Sequence, residues 1–105
     1  MFTYVVRAQA ANAQVADRWL AWLLAGHLQR VLEAGALDAE VMREAVAADG
    51  TQRLEVRYHF RHAHAFEHYE KAHAPALRAE LPTQFPEHAQ VTLSRAMGEV
   101  VAKRP

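Results

Sequence analysis

The chain has 105 residues, no cysteine, and twelve basic against twelve acidic residues, so its formal net charge is zero. This length fits one domain with a real core, and the missing cysteines exclude disulfides, thiolate nucleophiles and zinc–thiolate sites. The balanced charge gives no field that would steer the protein toward nucleic acid or anionic lipid. Neither a signal peptide nor an apolar run long enough for a membrane span is evident, so we expect a single cytoplasmic domain over residues 1–105.

The first third of the chain predicts a strand followed by a bent helix. Apolar residues alternate from Phe2 to Ala8, which is typical of a strand with one buried face. Asn12 is a suitable N-cap for the helix that follows. The apolar stripe of this helix consists of Val15, Trp19, Trp22, Leu23 and Gly26. Gly26 and His27 predict a break in the helix, and Gly35 predicts its end.

Two further strands follow, joined by a hairpin. Residues 37–47 alternate, and residues 52–61 place Leu54, Val56, Tyr58 and Phe60 between charged neighbours. Asp49-Gly50 is a favoured turn dipeptide, so the two strands are expected to be antiparallel neighbours.

The last third predicts a second helix and a final strand. Apolar residues recur at helical spacing from Ala63, Pro75 predicts a kink near His73, and Pro82 marks the end of the helix. Residues 90–101 form the last strand. The order strand, helix, strand, strand, helix, strand predicts an α+β, ferredoxin-like βαββαβ fold, in which a four-stranded antiparallel sheet carries both helices on one face.

The other face of this sheet is predicted to carry charge. It is either a solvated surface or the interface of a homodimer, in which Arg53, Arg57 and Arg61 of one copy meet Glu44 and Glu55 of the other. RNA-binding versions of the fold place aromatic rings on the first and third strands, and the residue types here argue against that role. The predicted dimer-interface residues are Arg53, Glu55, Arg57, His59 and Arg61; Val5, Val46 and Val100 share the face.

Five histidines lie between residues 59 and 73, but a helical wheel separates them. It places His62 and His73 on the buried stripe with Phe66, whereas His64 and His68 point the opposite way. His64 and His68 share the i,i+4 spacing of zinc ligands but lack an obvious third ligand, so we predict no physiological metal and at most opportunistic binding. His73 and His27 each lie at a helix break, where a ring could satisfy the backbone or reach a cleft.

The chain also resembles a small bacterial family of uncharacterised proteins of about this length. The residues that carry the resemblance are Trp19, Trp22, His27, Val31, Leu32, Gly35, Tyr58, Tyr69, His73, Ala74, Pro75, Leu77, Arg78 and Phe85. That family looks like a member of the dimeric α/β-barrel superfamily, whose other branches include cofactor-free monooxygenases, haem-degrading enzymes and stress-response proteins. The resemblance implies the fold and a homodimer. His62 stands where the family has a small capping residue.

Two functions fit these observations. The first is a homodimer that binds a small apolar ligand or a partner protein without chemistry, with Trp22, Tyr58 and Tyr69 as the ligand-binding residues. The second is a monooxygenase or isomerase that uses neither metal nor cofactor. In such an enzyme His27 or His73 would move a proton and a tyrosine hydroxyl would hydrogen-bond an oxyanion. Core packing is the alternative role for each aromatic ring, and a cavity on which histidine and tyrosine converge would favour the enzyme.

Overall fold

The computed structural model describes residues 1–45 and 47–105. Its strands are β1 (Phe2–Ala10), β2 (Asp38–Arg43), β3 (Gln52–Phe60) and β4 (Val91–Glu99), and its helices are α1 (Ala13–Trp22), α2 (Leu28–Glu33), α3 (Ala63–Ala72) and α4 (Ala74–Gln84). A π-helical turn (Leu23–His27) joins α1 to α2, and a 3₁₀ turn (His88–Gln90) precedes β4. Val46, which was assigned to the charged face, lies outside the described residues.

The four strands form one antiparallel sheet in the order β2-β3-β1-β4. β1 pairs with β3 and β4, and β3 pairs with β1 and β2, so β1 and β3 occupy the centre. This is the predicted ferredoxin-like topology, and the fold class is confirmed.

The two faces of the sheet differ as the alternation predicts. On β3 the even-numbered positions from Leu54 to Phe60 are at most 2% exposed, and the helices pack against this face. Arg53 and Arg57 on the opposite face are exposed. An aromatic cluster fills one end of the helix-covered face, where Phe66 of α3 lies 5.0–5.4 Å, centroid to centroid, from the rings of Phe2, Tyr4 and Phe60. Because the helices cover one face, the charged face has no described element packed on it.

The first helical segment breaks where Gly26 and His27 predict it. Gly26 has non-helical backbone angles, and the Leu28 amide donates to the Leu23 carbonyl five residues earlier, which is the π-helical pattern. Gly35 ends α2 with φ of 127°, a value that favours glycine. The bend lets α1 and α2 follow the curved sheet from β1 toward β2.

The second helical segment breaks at His73, between α3 and α4, as Pro75 predicts. Pro75 lies in the first turn of α4, where no intrahelical partner for its missing amide is needed. The prediction that His73 lies on the buried stripe is wrong: His73 is exposed, while Ala74 and Leu77 are buried. The wheel assumed one continuous helix, but His73 is the break itself and has non-helical backbone angles, so its side chain leaves the face that Phe66 and Tyr69 share. Pro82 does not end the helix either, because α4 continues to Gln84.

The strand ends also differ from the sequence pattern. β2 is confined to Asp38–Arg43 rather than running to residue 47, and β4 covers Val91–Glu99 rather than residues 90–101. Asp49-Gly50 does lie in the turn between β2 and β3. The Gly50 amide donates to the Ala47 carbonyl, and Gly50 has φ of 82°. None of the described helices is both long and apolar enough to span a bilayer.

Side chains cap the helices that follow β1 and β3 in the same way. Asn12 Oδ1 accepts from the Val15 amide at 3.0 Å, and His62 Nδ1 accepts from the Ala65 amide at 3.1 Å. Both residues have extended backbone angles that agree within a few degrees. His62, which was placed on the buried stripe, is therefore an exposed N-cap, because the helix starts one residue later at Ala63.

Replacing His62 tests this cap. We expect His62→Ala to lower the free energy of unfolding by about 1 kcal/mol, as the loss of an N-cap acceptor does. His62→Asn should keep or exceed the wild-type value, because asparagine accepts the same bond at Asn12. Urea unfolding followed by circular dichroism measures both variants. Equal losses in the two variants would show that the imidazole does not act as a cap.

Candidate functional site

A cleft lies between the helices and the central strands. Its cavity volume is about 60 Å³, and it opens to solvent through a wider mouth. Its apolar walls come from Val6, Leu23, Val31, Val56, Leu77, Leu81 and Leu93, and its polar and aromatic groups come from Tyr4, Trp19, Trp22, His27, Tyr58, Tyr69, Arg78 and Arg95. The interior is therefore narrow, and a larger ligand would extend into the mouth.

His27 enters the cleft from the π-helical turn. Its ring stacks on Trp22 with 4.5 Å between centroids, and its Nδ1 lies 3.0 Å from Glu80 Oε1. Glu80 belongs to α4, so this contact joins the two helical segments. The side chains of His27 and Glu80 are 16% and 18% exposed, which makes the pair largely shielded from water.

Arg30 on α2 holds the Glu80 carboxylate. Its Nε lies 2.9 Å from Glu80 Oε2 and its Nη2 lies 2.8 Å from Glu80 Oε1, a bidentate arrangement. Hydrogen bonding to Arg30 lowers the pKa of Glu80 below its ordinary value. Gly26 makes room for this guanidinium, since a Cβ built at position 26 would lie 2.5 Å from Arg30 Nη1.

These contacts determine the protonation state of His27. Burial lowers the pKa of His27 below 6.5, although the hydrogen bond with Glu80 works against the decrease. The ring is therefore neutral at pH 7. Because the ionised Glu80 can only accept, the proton of the neutral ring lies on Nδ1. Nε2 is left as a proton acceptor in a residue that lines the cleft, which is the state that a general base requires.

Tyr58 and Tyr69 contribute neutral hydroxyl groups to the cleft. Burial raises the pKa of Tyr69 to about 12 and raises that of Tyr58 further above its ordinary value. Tyr4, which is 3% exposed, lies beside the Arg78 guanidinium. Tyrosines that stay protonated at physiological pH can donate hydrogen bonds to a ligand oxygen.

Three further donors line the cleft. Trp19 is 2% exposed, and its Nε1 has no acceptor among the described residues. Arg78 donates to Glu70 through Nη2, while its buried Nε likewise lacks an acceptor in the described part of the chain. Arg95 lies on the helix-covered face of β4, opposite Val6.

The structure places most of the predicted site residues together. Trp22, His27, Tyr58 and Tyr69 all line the cleft, whereas His73 is exposed outside it. The His73 ring instead lies edge-on to His68, 5.6 Å away. His64 is exposed as well and lies beside Glu67. Among the described residues, no group of three or more acidic, histidine or cysteine side chains could hold a metal.

The residues that the sequence interpretation missed are Trp19, Arg30, Arg78, Glu80 and Arg95. Arg95 could have been found, because it interrupts the apolar alternation of Val91, Leu93 and Met97 on β4. In the sequence, Glu80 and Arg30 resemble ordinary exposed helix residues. Because they are 50 positions apart, no local pattern indicates their contact. Trp19 was treated as core, and its unpaired nitrogen becomes evident only from the packing.

The predicted dimer-interface residues lie on the charged face. Glu55 is 9% exposed, and its carboxylate contacts Arg7 Nε at 3.1 Å and Arg57 Nη2 at 2.6 Å. His59 Nδ1 lies 2.6 Å from Asp38 Oδ1. Arg53 is exposed, and Arg61 follows the end of β3. Glu55 is thus already paired within its own chain.

Comparisons with known proteins give the fold but no activity. None of the curated proteins matches this chain significantly. The chain is similar to the crystal structure of a dimeric ferredoxin-like protein from an uncultured marine organism, with 14% identity, coverage of 98% of this chain and 97% of that one, and a TM-score of 0.74. HapK from Hahella chejuensis is 16% identical, with 100% and 97% coverage and a TM-score of 0.67.

A third solved structure, a variant of SnoaB, is described as a cofactor-independent oxygenase from Streptomyces nogalater. It is 12% identical, with 99% coverage of this chain, 97% coverage of that chain and a TM-score of 0.60. At such low identity these three structures show a shared ferredoxin-like fold and nothing finer. A family model described as a domain of unknown function (DUF4286) matches residues 1–100. The chain therefore belongs to this family, a family of unknown function with the ferredoxin-like fold.

Proposed function

We propose that the protein is a homodimer whose protomers each bind a small, mostly apolar molecule in the cleft. The observation that carries this proposal is the convergence of Trp22, His27, Tyr58 and Tyr69 on one opening between helices and sheet. Apolar walls with a few inward polar groups are the usual composition of a small-molecule site. Because only about 60 Å³ lies inside, the ligand is small or leaves one end in the mouth.

A second candidate function is proton transfer catalysed without a cofactor, and the arrangement of His27 favours it. Nε2 of the neutral ring would take a proton from an acidic C–H or O–H bond of the bound molecule. The resulting imidazolium would be stabilised by Glu80, which Arg30 keeps ionised and in place. A hydroxyl of Tyr58 or Tyr69 would donate to the oxygen on which negative charge develops. The similar fold of SnoaB, a cofactor-independent oxygenase, is compatible with this chemistry.

The charged face of the sheet supports the homodimer. No described helix or loop covers it, yet Val5 near the middle of β1 is only partly exposed between Arg57 and Ala96. Glu55 contacts both Arg7 and Arg57 within the chain, so its single carboxylate offsets half of the charge of these two guanidinium groups. A second copy that packs on this face would therefore bury fewer unpaired charges than the residue types alone suggest. The similar marine protein is described as dimeric.

Ligand retention tests the binding site. Native mass spectrometry of the purified protein should show a small-molecule adduct that is lost in His27→Ala and Tyr58→Phe, because both side chains line the cleft. His73→Ala is the matched control and should retain the adduct, since His73 lies outside. If all three variants retain the adduct, the molecule binds outside the cleft.

Imidazole NMR tests the proton-transfer candidate without a substrate. In ¹⁵N-labelled protein at pH 7, the His27 ring should carry its proton on Nδ1, and it should titrate with a midpoint below 6.5. Glu80→Gln should lower that midpoint further, because the carboxylate raises the pKa of His27. Glu40→Gln, at an exposed position on β2, should leave it unchanged. A proton on Nε2, or a midpoint above 6.5, contradicts the general-base assignment.

Sedimentation velocity tests the dimer. Val5→Lys should weaken association by about a hundredfold or more, because it buries an unpaired ammonium group opposite Arg57 in the interface. Leu24→Lys is the control, since Leu24 is 59% exposed on the helical side. A dimer that persists in Val5→Lys but dissociates in Leu24→Lys would place the interface on the helices.

A further inference from the structure

We propose that the ligand of the cleft is a small apolar monocarboxylic acid, whose carboxylate is bound by Arg95, Arg78 and the indole nitrogen of Trp19. This inference rests on the proposed binding function and names the chemical class of its ligand. It follows from an excess of hydrogen-bond donors and positive charge in a largely apolar cleft.

The donors exceed the acceptors around the cleft. Trp19 Nε1 and Arg78 Nε are both buried, and neither has an acceptor among the described residues. A buried donor that is left unpaired destabilises the folded protein. A ligand oxygen that accepts from these groups would remove that penalty. Since Trp22 Nε1 already donates to Gln84 at 3.0 Å, only one of the two indoles is available.

The charges around the cleft also favour an anionic ligand. Two arginines, Arg78 and Arg95, line it, and none of the described lining residues is a carboxylate. Glu70 pairs with Arg78 from α3, and no described carboxylate forms an ion pair with Arg95. His27 is neutral at pH 7. The lining therefore retains about one positive charge, which matches a monoanion better than a phosphate group with two negative charges.

Arg95 is exposed overall, and it lies where the cleft opens, on the same face of the sheet as the other lining residues. It occupies an inward register position of β4, between Leu93 and Met97, where an apolar side chain would be expected. Both Arg95 and Arg78 act on Tyr69, since each opposes the rise in its pKa, so the two guanidinium groups lie near the same hydroxyl. Together they define a cationic end of the cleft, and the aliphatic walls leave the rest of the ligand apolar.

Two probe molecules of similar shape, one charged and one neutral, test whether the cleft recognises the charge of its ligand. ¹H–¹⁵N spectra of the wild-type protein are recorded during titration with phenylacetate and with phenylacetamide, which is uncharged and of nearly the same size. We expect phenylacetate to bind about tenfold or more tightly, as a charge-assisted hydrogen bond predicts. The Trp19 indole signal should move, while the Trp22 indole signal, already bonded to Gln84, should move less.

Arg95→Gln should remove the preference for the acid and leave the affinity for the amide unchanged. Arg95→Lys should keep part of the preference, since the charge remains and the bidentate geometry is lost. Lys71→Gln, at an exposed position of α3 that does not line the cleft, is the control and should change nothing. Equal binding of acid and amide in the wild type, or an unchanged preference in Arg95→Gln, overturns this proposal but leaves cleft binding intact. If neither probe shifts a cleft signal, both this proposal and the proposed function fail.

Discussion

The contact between Glu80 and the pair Arg30 and His27 is the interaction on which the cleft depends. Glu80 lies on α4, whereas Arg30 and His27 lie on the segment that follows β1. The two helical segments also meet through apolar side chains and through the hydrogen bond from Trp22 Nε1 to Gln84. A bidentate ion pair with a further hydrogen bond adds charged contacts that hold their relative position, and with it the width of the cleft. The same contact sets the tautomer of His27, whereas burial lowers the pKa of its ring.

Both helical segments must break for this contact to form. The π-helical turn places His27 at the level of the cleft, and the break at His73 reorients the chain so that α4 can carry Glu80 toward it. π-helical turns are uncommon and are often found at functional sites. In this protein the π-helical turn lines the cleft through Leu23 and His27, whereas the break at His73 lies outside it. The first break is therefore part of the site, and the second acts only through the direction it gives α4.

The sequence contains most of the fold because its signals are local. The alternation of β3, the cap at Asn12, the turn at Asp49-Gly50 and the breaks at Gly26 and Pro75 each act within a few residues, and the structure has all of them. The errors arise where a local rule was extended across a break. A single helical phase cannot be continued through His73, and α4 continues two residues past Pro82 although this proline cannot donate to the Arg78 carbonyl.

The site was predictable only in part. Trp22, Tyr58 and Tyr69 follow from knowing which face of each element is buried, and His27 follows from the helix break. The groups that give the site its charge depend on contacts between residues far apart in the chain, such as Arg30 and Glu80. No periodicity encodes such a contact, and exposed arginines and glutamates are common on any helix.

Gly26 has a consequence for how this site could diverge. Its missing side chain leaves the space that the Arg30 guanidinium occupies, so a single methyl group there would displace the arginine from Glu80 while leaving every group in the cleft chemically unaltered. A less firmly held carboxylate would change the proton affinity of the neighbouring imidazole. The pKa of His27 can thus be changed by a substitution at position 26, whose side chain would contact Arg30 rather than the imidazole or the carboxylate.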